Sequence, residues 1–238
     1  MKKYLLIPLF IIEVLVSWYI WSKSPDYIKQ GGPLLVIGLV AFFLAVTFTI
    51  ERVIVLLRAG GRSNVNLFLR YIMATIPRGN LDEALETCVR QGGCLANVVG
   101  AGLMQYDAMK DAVSNRRELL QETRRAMQEA NALETPLLER NLTVLSTIAS
   151  IATLLGLLGT TIGMIRSFRA MSHAGAPDAS QLALGISEAL VNTALGLITA
   201  VIATVMYNYF TTRVDKLGNM MEETSHAVMV LLRQRKET

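Results

Sequence analysis

Glu188 is the side chain whose type and position most clearly suggest chemistry. It is the only charged residue in the segment 179–212. A charged group at membrane depth is costly, so such residues usually face a cavity, a partner or an ion pathway. The alternative is a side chain that snorkels to the outer interface. The pathway interpretation makes Glu188 a proton-exchanging or ion-binding group.

Hydroxyl, amide and small residues recur around this carboxylate at helical spacing. Steps of three and four place them on one face of each of two helices, 141–168 and 181–212. A rise of 1.5 Å per residue puts Thr160, Glu188 and Thr193 at one depth, roughly 9–16 Å from the outer ends of their helices. The predicted ion-pathway residues are Thr160, Glu188, Thr193, Thr153, Asn192 and Thr199.

Glycines in the same two rows admit a second explanation, because small residues let membrane helices pack closely whether or not an ion passes between them. The predicted helix-packing residues are Gly156, Gly159, Gly163, Gly185 and Gly196.

Three long uncharged or nearly uncharged segments must position these residues. Hydrophobic residues make up 52% of the chain and its mean hydropathy is +0.41. Residues 30–50 and 141–165 carry no charge, and 179–212 carries only Glu188. About 20 apolar residues span a ~30 Å hydrocarbon core as a helix. The sequence therefore predicts an all-α polytopic membrane protein with three core transmembrane helices.

A fourth apolar segment, 4–21, follows Lys2 and Lys3 as in a signal peptide. Glu13 interrupts it, and no small-x-small cleavage site precedes Ser22. We expect a retained membrane helix, and whether it spans the bilayer or lies along it stays open at this point.

Positive charges fix the orientation. Nineteen of the 23 Lys and Arg residues lie in 51–140, in the tail from Arg213 or at the N-terminus. The positive-inside rule makes these parts cytoplasmic, including the C-terminus. The predicted organisation is an N-terminal membrane helix and short outer loop (1–29), a first core helix (30–57), a cytoplasmic helical region (58–140), a second core helix (141–168), an outer loop (169–180), a third core helix (181–212) and a cytoplasmic tail (213–238).

Turn and cap residues subdivide the predicted cytoplasmic region into helices. Asn80 is a typical helix start. A charged helix is predicted from Asp111 to Glu134, and Pro136 is expected to interrupt the chain just after it. Cys88 and Cys94 lie here without a partnering histidine, and a reducing compartment disfavours a disulfide. They are interpreted as ordinary small residues.

Several function classes lack support in the sequence. The two histidines, His173 and His226, fall on opposite sides of the predicted membrane. No metal, nucleophile or phosphate-binding signature is present, so an enzyme, a metal site or a cofactor is not expected. Nucleic-acid binding would require a basic cluster with aromatic residues, which the chain lacks.

From about residue 30 to 212 the sequence resembles the ExbB/TolQ/MotA family of inner-membrane motor channel subunits, and ExbB most. The resemblance is carried by LLGLLGTTIGM at 154–164, GISEALVNTALG at 185–196 and Tyr207-Asn208. Gly31-Gly32-Pro33 and Glu51-Arg52 also match. Two departures are Thr153 and Ile202, where many family members have proline, and a third is the extra N-terminal helix.

This resemblance implies a homopentameric ring in the bacterial inner membrane around a dimer of an ExbD-like single-span subunit. Thr160, Glu188 and Thr193 match the family's pore residues. Ion flow would then drive a TonB-like periplasm-spanning protein and power TonB-dependent transport across the outer membrane. The alternatives are a Tol-type or other rotary envelope motor, and a non-conducting membrane scaffold. Protons are the expected driving ion, with Na⁺ as the alternative because the extra hydroxyls of Thr153 and Thr199 also suit a bare cation.

Overall fold

The structure, a computed structural model, describes residues 3–25, 29, 31–113, 115–173 and 179–234. Among these residues it contains eight α-helices, one short 3₁₀ helix (Ile76–Arg78) and no strand. The helices are α1 (Lys3–Lys23), α2 (Gly32–Ala59), α3 (Val65–Thr75), α4 (Leu81–Gln91), α5 (Gly93–Met109), α6 (Arg116–Glu139), α7 (Leu142–His173) and α8 (Ala179–Gln234).

Three stretches of the described chain are long and apolar enough to cross a membrane: Gly32–Ala59, Arg116–Arg169 and Ala179–Gln234. In the 18-residue apolar segment of each stretch, only 22% to 33% of the residues are buried within the chain, so most of the apolar surface faces outward. A soluble helix buries its apolar side. The prediction of three core spans in an all-α polytopic membrane protein is confirmed, and α1 is a further candidate span.

The chain divides into two compact units. The membrane unit comprises Met1–Glu51 and Asn141–Tyr209, and the polar unit comprises Arg52–Arg140 and Phe210–Thr238. Within the polar unit, the apolar sides of α3 to α6 and of the last turns of α8 form a core. Its most buried members include Ile72, Ile76, Val99, Leu103, Leu119, Met127, Met221 and Leu232.

Two predicted helix boundaries in the polar unit are wrong. Helix α6 begins at Arg116 rather than Asp111, because the Asn115 side chain accepts a hydrogen bond from Arg117 N and caps the helix there. Pro136 does not interrupt the helix, which continues through it to Glu139. The break comes at Asn141, where φ is +63°. Asparagine tolerates this left-handed conformation better than most residues.

Helices α7 and α8 continue beyond the ends of the predicted spans 141–168 and 181–212. Helix α7 continues to His173, five residues beyond the expected end at 168. Helix α8 runs without interruption to Gln234, so the described part of the predicted tail belongs to the same helix as the third span. Its apolar pattern continues past Arg213 in buried residues such as Val214, Met221 and Val228.

Cys88 and Cys94 are expected to resist alkylation in the folded protein. Both are free thiols and buried, and burial raises the pKa of Cys88 to about 12 and raises the pKa of Cys94 as well. Since the thiolate is the reactive form, about 10⁻⁴ of a thiol with a pKa near 12 is reactive at pH 8. Maleimide labelling followed by mass spectrometry measures this. Both sites should label fully after denaturation, and rapid labelling of either in the native protein would contradict the buried placement.

Candidate ion pathway

Helices α7 and α8 of the membrane unit meet through glycines. A Cβ added at Gly163 would lie 2.6 Å from the Gly185 carbonyl oxygen, and one added at Gly196 would lie 2.6 Å from the Ala152 carbonyl oxygen. Contacts this short to backbone atoms cannot be relieved by moving a side chain. The spacing of small residues along both helices therefore lets the two backbones approach closely.

Glu188 lies on the buried side of α8 and is only 6% exposed. Its Oε1 accepts a hydrogen bond from Nη1 of Arg166 on α7, which also forms an ion pair with it. Arg166 itself is half-exposed. A buried carboxylate is tolerated when a cation pairs with it. The carboxylate is thus paired with Arg166 on one side and shielded from solvent by the protein on the others.

Gly32 at the start of α2 closes the site from a third helix. A Cβ at this position would lie 2.7 Å from Glu188 Oε1 and 3.3 Å from Arg166 Nη1. Its φ of +65° is also a conformation that glycine adopts at no steric cost. The backbone angle therefore favours glycine here, and a Cβ would also force the Glu188 carboxyl group to shift.

Asn192, one turn after Glu188, ties the same three helices together. Its Nδ2 donates to the Gly31 carbonyl (2.9 Å) and to the Glu188 carbonyl (3.0 Å). A Cβ at Gly159 would lie 2.4 Å from Asn192 Cβ, so Gly159 provides the space for this amide. These two hydrogen bonds from the side-chain amide fix the start of α2 against α8.

The predicted threonines each donate to a backbone carbonyl of their own helix, which leaves their oxygens able to accept. Thr193 has two such carbonyls in reach, Ala189 and, across the interface, Gly156, both at 3.0 Å. Thr160 donates to Leu157 (2.7 Å) and is partly buried. Thr199 is buried, while Thr153 is exposed on the surface of this single chain.

A cavity of about 10 Å³ lies next to this cluster, which is about the smallest space that can admit a single water. It lies between α2, α7 and α8, and its polar lining comes from Asn192 and Thr199. The remaining lining residues are Leu34, Gly38, Ala41, Ala152, Leu155 and Gly196. The site therefore offers a carboxylate, an amide, a hydroxyl and room for a water within a few turns of α8.

Polar and small residues at helical spacing form one row on α8, and this row is buried along its whole length. Gly185, Glu188, Asn192, Gly196, Thr199 and Ala203 all lie inside the unit. The row on α7 divides, because Gly156, Gly163 and Ser167 are buried while Ser150 and Thr153 are exposed.

Two members of the site, Arg166 and Gly32, are not among the site residues predicted from the sequence. The signal in the sequence that could identify Arg166 is its helical spacing from Gly159 and Gly163 in the predicted span 141–168. No group of three or more His, Cys, Asp or Glu residues in the described ranges is arranged to hold a metal ion.

The outward faces of α7 and α8 carry large apolar side chains. These include Leu154, Leu157 and Ile165 on α7, and Leu190, Leu197 and Val201 on α8. Such a surface is stable against lipid or against other apolar helices.

Comparison with known proteins places these elements in a family. The model of the MotA/TolQ/ExbB proton channel family matches residues 95–223, more than half of the chain. A protein of Synechocystis sp. named ExbB-like 3 is 37% identical over 115 residues, covering 48% of this chain and 55% of that protein. The Tol-Pal system protein TolQ of Haemophilus influenzae is 34% identical over 127 residues, covering 51% and 56%. The Aquifex aeolicus biopolymer transport protein ExbB is 36% identical over 77 residues, covering 32% and 52%. The chain thus spans about half the length of these relatives.

Proposed function

This chain belongs to the MotA/TolQ/ExbB proton channel family, and on that premise we propose that it is the ring-forming channel subunit of an ion-motive-force-driven energy-transducing complex. The observation that carries the proposal is Glu188, a carboxylate buried among three membrane helices and held by one arginine. A structural scaffold gains nothing evident from a buried charge, whereas a proton relay requires a titratable group at membrane depth.

The proposed chemistry is proton exchange at Glu188. The paired carboxylate accepts a proton when its contact with Arg166 opens, and the half-exposed guanidinium can then turn toward water. Asn192, Thr160, Thr193, Thr153 and Thr199 supply hydrogen-bond partners along the two inner helices. Water in the cavity beside Asn192 and Thr199 can extend such a chain.

The proposed assembly is a homopentamer in the bacterial inner membrane, with a cytoplasmic C-terminus. Residues 142–168 and 181–212 would line the centre and 30–57 would lie outside. The exposed apolar faces of α7 and α8 are suited to neighbouring subunits and to the single span of an ExbD-like dimer. A TonB-like protein would deliver the work across the periplasm. Because TolQ of H. influenzae is among the relatives, a Tol-type envelope motor is the second candidate.

Native mass spectrometry of the detergent-solubilised complex tests this assembly. Co-expression with an ExbD-like single-span protein from the same organism should give five copies of this chain with two of the partner. The identity of that partner, and of the periplasmic protein it retains, separates a TonB-type from a Tol-type system. A monomer or dimer as the largest stable species would contradict the ring.

The driving ion is expected to be H⁺. Among the described residues, Glu188 is the single carboxylate at the site. Thr160 and Thr193 lie roughly 10 Å along the axis from Thr153 and Thr199, too far for one compact cation cage. The measurement is energised work in Na⁺-free medium with an imposed proton gradient, compared with a Na⁺ gradient in the presence of an uncoupler. Work that survives the uncoupler and stops without Na⁺ would overturn the proton assignment.

A further inference from the structure

Helix α1 turns its polar residues inward and its apolar residues outward. Glu13 is 6% exposed and Ser17 is fully buried. The exposed side carries Phe10, Ile11, Ile12, Leu15, Trp18 and Tyr19. This is the reverse of a helix on a soluble protein, and it fits a helix surrounded by lipid. Helix α1 also lies outside residues 95–223, the part that matches the family.

The buried side of α1 carries polar atoms without hydrogen-bond partners. Both carboxyl oxygens of Glu13, the hydroxyl of Ser17 and the Nε1 of Trp21 are buried and unbonded among the described residues. In the described part of the chain, these are all the buried side-chain nitrogen and oxygen atoms in that state. Such groups are rare in folded proteins, and each needs an explanation.

These three residues form one continuous polar stripe. Their spacing of four residues places them on the same face of α1, over roughly 12 Å of its length. The facing residue on α2 is Thr47, whose hydroxyl is near the Glu13 carboxyl without meeting hydrogen-bond geometry. The stripe therefore holds one carboxyl group and three potential donors, namely a serine hydroxyl, an indole N–H and a threonine hydroxyl.

Few charged groups of the described residues on α1 and α2 lie near this stripe. On α1, Lys3 and Lys23 each lie ten residues from Glu13, roughly 15 Å along the helix. On α2, Glu51 lies one turn beyond Thr47 and accepts hydrogen bonds from Asn141 Nδ2 at 3.3 and 3.4 Å. Glu13 thus differs from Glu188, for which Arg166 provides a direct ionic partner.

The donor and acceptor set favours a proton and water over a metal cation. The available side-chain oxygens are those of Glu13, Ser17 and Thr47, and the backbone carbonyls of a helix interior are used by the helix itself. A bare cation needs more oxygen ligands than this. A carboxyl group needs only to gain or lose one proton, and a water can connect it to the neighbouring donors.

We propose that Glu13 is a second intramembrane proton-binding site, separate from Glu188, with Ser17, Trp21 and Thr47 as its water-linked hydrogen-bond partners. Its carboxyl group takes up a proton from water and returns it, and no other bond is made or broken. The described residues that form the site belong to α1 and α2. It therefore stands or falls independently of the channel function proposed for Glu188.

Carbodiimide labelling of the full-length purified complex tests the site. Dicyclohexylcarbodiimide enters apolar surroundings and adds to a protonated carboxyl group. The experiment uses a Glu188→Gln background so that Glu188 cannot react. Peptide mass spectrometry should find an adduct on Glu13 that decreases as the pH rises. A water-soluble carbodiimide should label Glu83 and Glu86 of the polar unit and leave Glu13 unmodified.

Two further measurements test whether Glu13 binds a proton rather than a metal cation, and whether its carboxyl group is protonated. Replacing K⁺ by Na⁺ at constant ionic strength should not protect Glu13, and Na⁺-specific protection would overturn the proton assignment in favour of a cation site. Infrared difference spectra between the parent and Glu13→Gln should contain a protonated-carboxyl band whose intensity changes with pH. Absence of that band at every pH would overturn the proposal, whether or not the adduct forms.

Discussion

Replacing Glu188 by glutamine is expected to abolish energised work while leaving the complex assembled. Glutamine has the shape of glutamate and can still accept a hydrogen bond from Arg166, but it cannot bind and release a proton. Proton transfer by a positioned group typically contributes 10²- to 10⁴-fold. We therefore expect a loss of about 10²-fold or more in proton flux through the reconstituted complex, measured with a pH-sensitive dye. Glu188→Ala should have the same effect.

The Arg166–Glu188 pair requires a control, because the single substitution also leaves an arginine without its carboxylate. The double variant Arg166→Gln/Glu188→Gln removes both charges together. If the defect came only from the unpaired arginine, the double variant would regain flux. We expect it to stay inactive, with unchanged mass in native mass spectrometry. Wild-type flux in either variant at normal protein levels would refute the role of Glu188.

Thr160→Ala and Thr193→Ala should reduce the same flux far less than Glu188→Gln. Both hydroxyls already donate to backbone carbonyls, so they contribute acceptor oxygens rather than transferable charge. A water can take the place of a lost hydroxyl. We therefore expect the loss of proton flux to be larger for the Glu188 variant than for either threonine variant.

The spans and the buried row on α8 could be predicted from the sequence because both are local patterns. Twenty or more uncharged residues define a membrane helix, and steps of three and four define its faces. The pairing of Arg166 with Glu188 joins two helices across 22 positions of the chain. Arg166 lies two residues before the predicted end of a span, where an arginine is most simply interpreted as an interfacial residue, and only the structure shows that it pairs with Glu188.

The termination of α6 was missed for a related reason. Proline is the strongest local signal for a helix end, because it lacks the N–H that would donate a hydrogen bond and its ring crowds the carbonyl four residues earlier. Helix α6 continues past Pro136 to Glu139, and the chain turns at Asn141, whose Nδ2 donates to Glu51 far along the chain. The actual break thus depends on a contact that no local pattern reports. Burial of Glu13 against α2 likewise needed the structure.

Gly163→Ala is expected to weaken or prevent folding of the membrane unit. The added methyl group would lie 2.6 Å from the Gly185 carbonyl oxygen, 2.8 Å from Ala189 Cβ and 2.9 Å from Ala189 N. Two of these neighbours are backbone atoms of α8, so the two helices would have to separate. Overpacking of a well-packed core typically costs about 1–3 kcal/mol, and a backbone clash belongs at the upper end of that range. Moving α7 away from α8 would also disrupt the packing around Glu188.

Gly218→Ala is the matched control, since Gly218 lies in α8 with no atom within 4 Å of an added Cβ. Alanine in a helix interior is favoured over glycine by roughly 0.5–1 kcal/mol, so this variant should be neutral or slightly more stable. Thermal unfolding of the purified complex, followed by the fluorescence of Trp18 and Trp21, compares the two. Gly163→Ala should melt several degrees lower or fail to accumulate, and Gly218→Ala should not. Equal melting temperatures would mean that α7 and α8 are not packed as closely as the glycine contacts require.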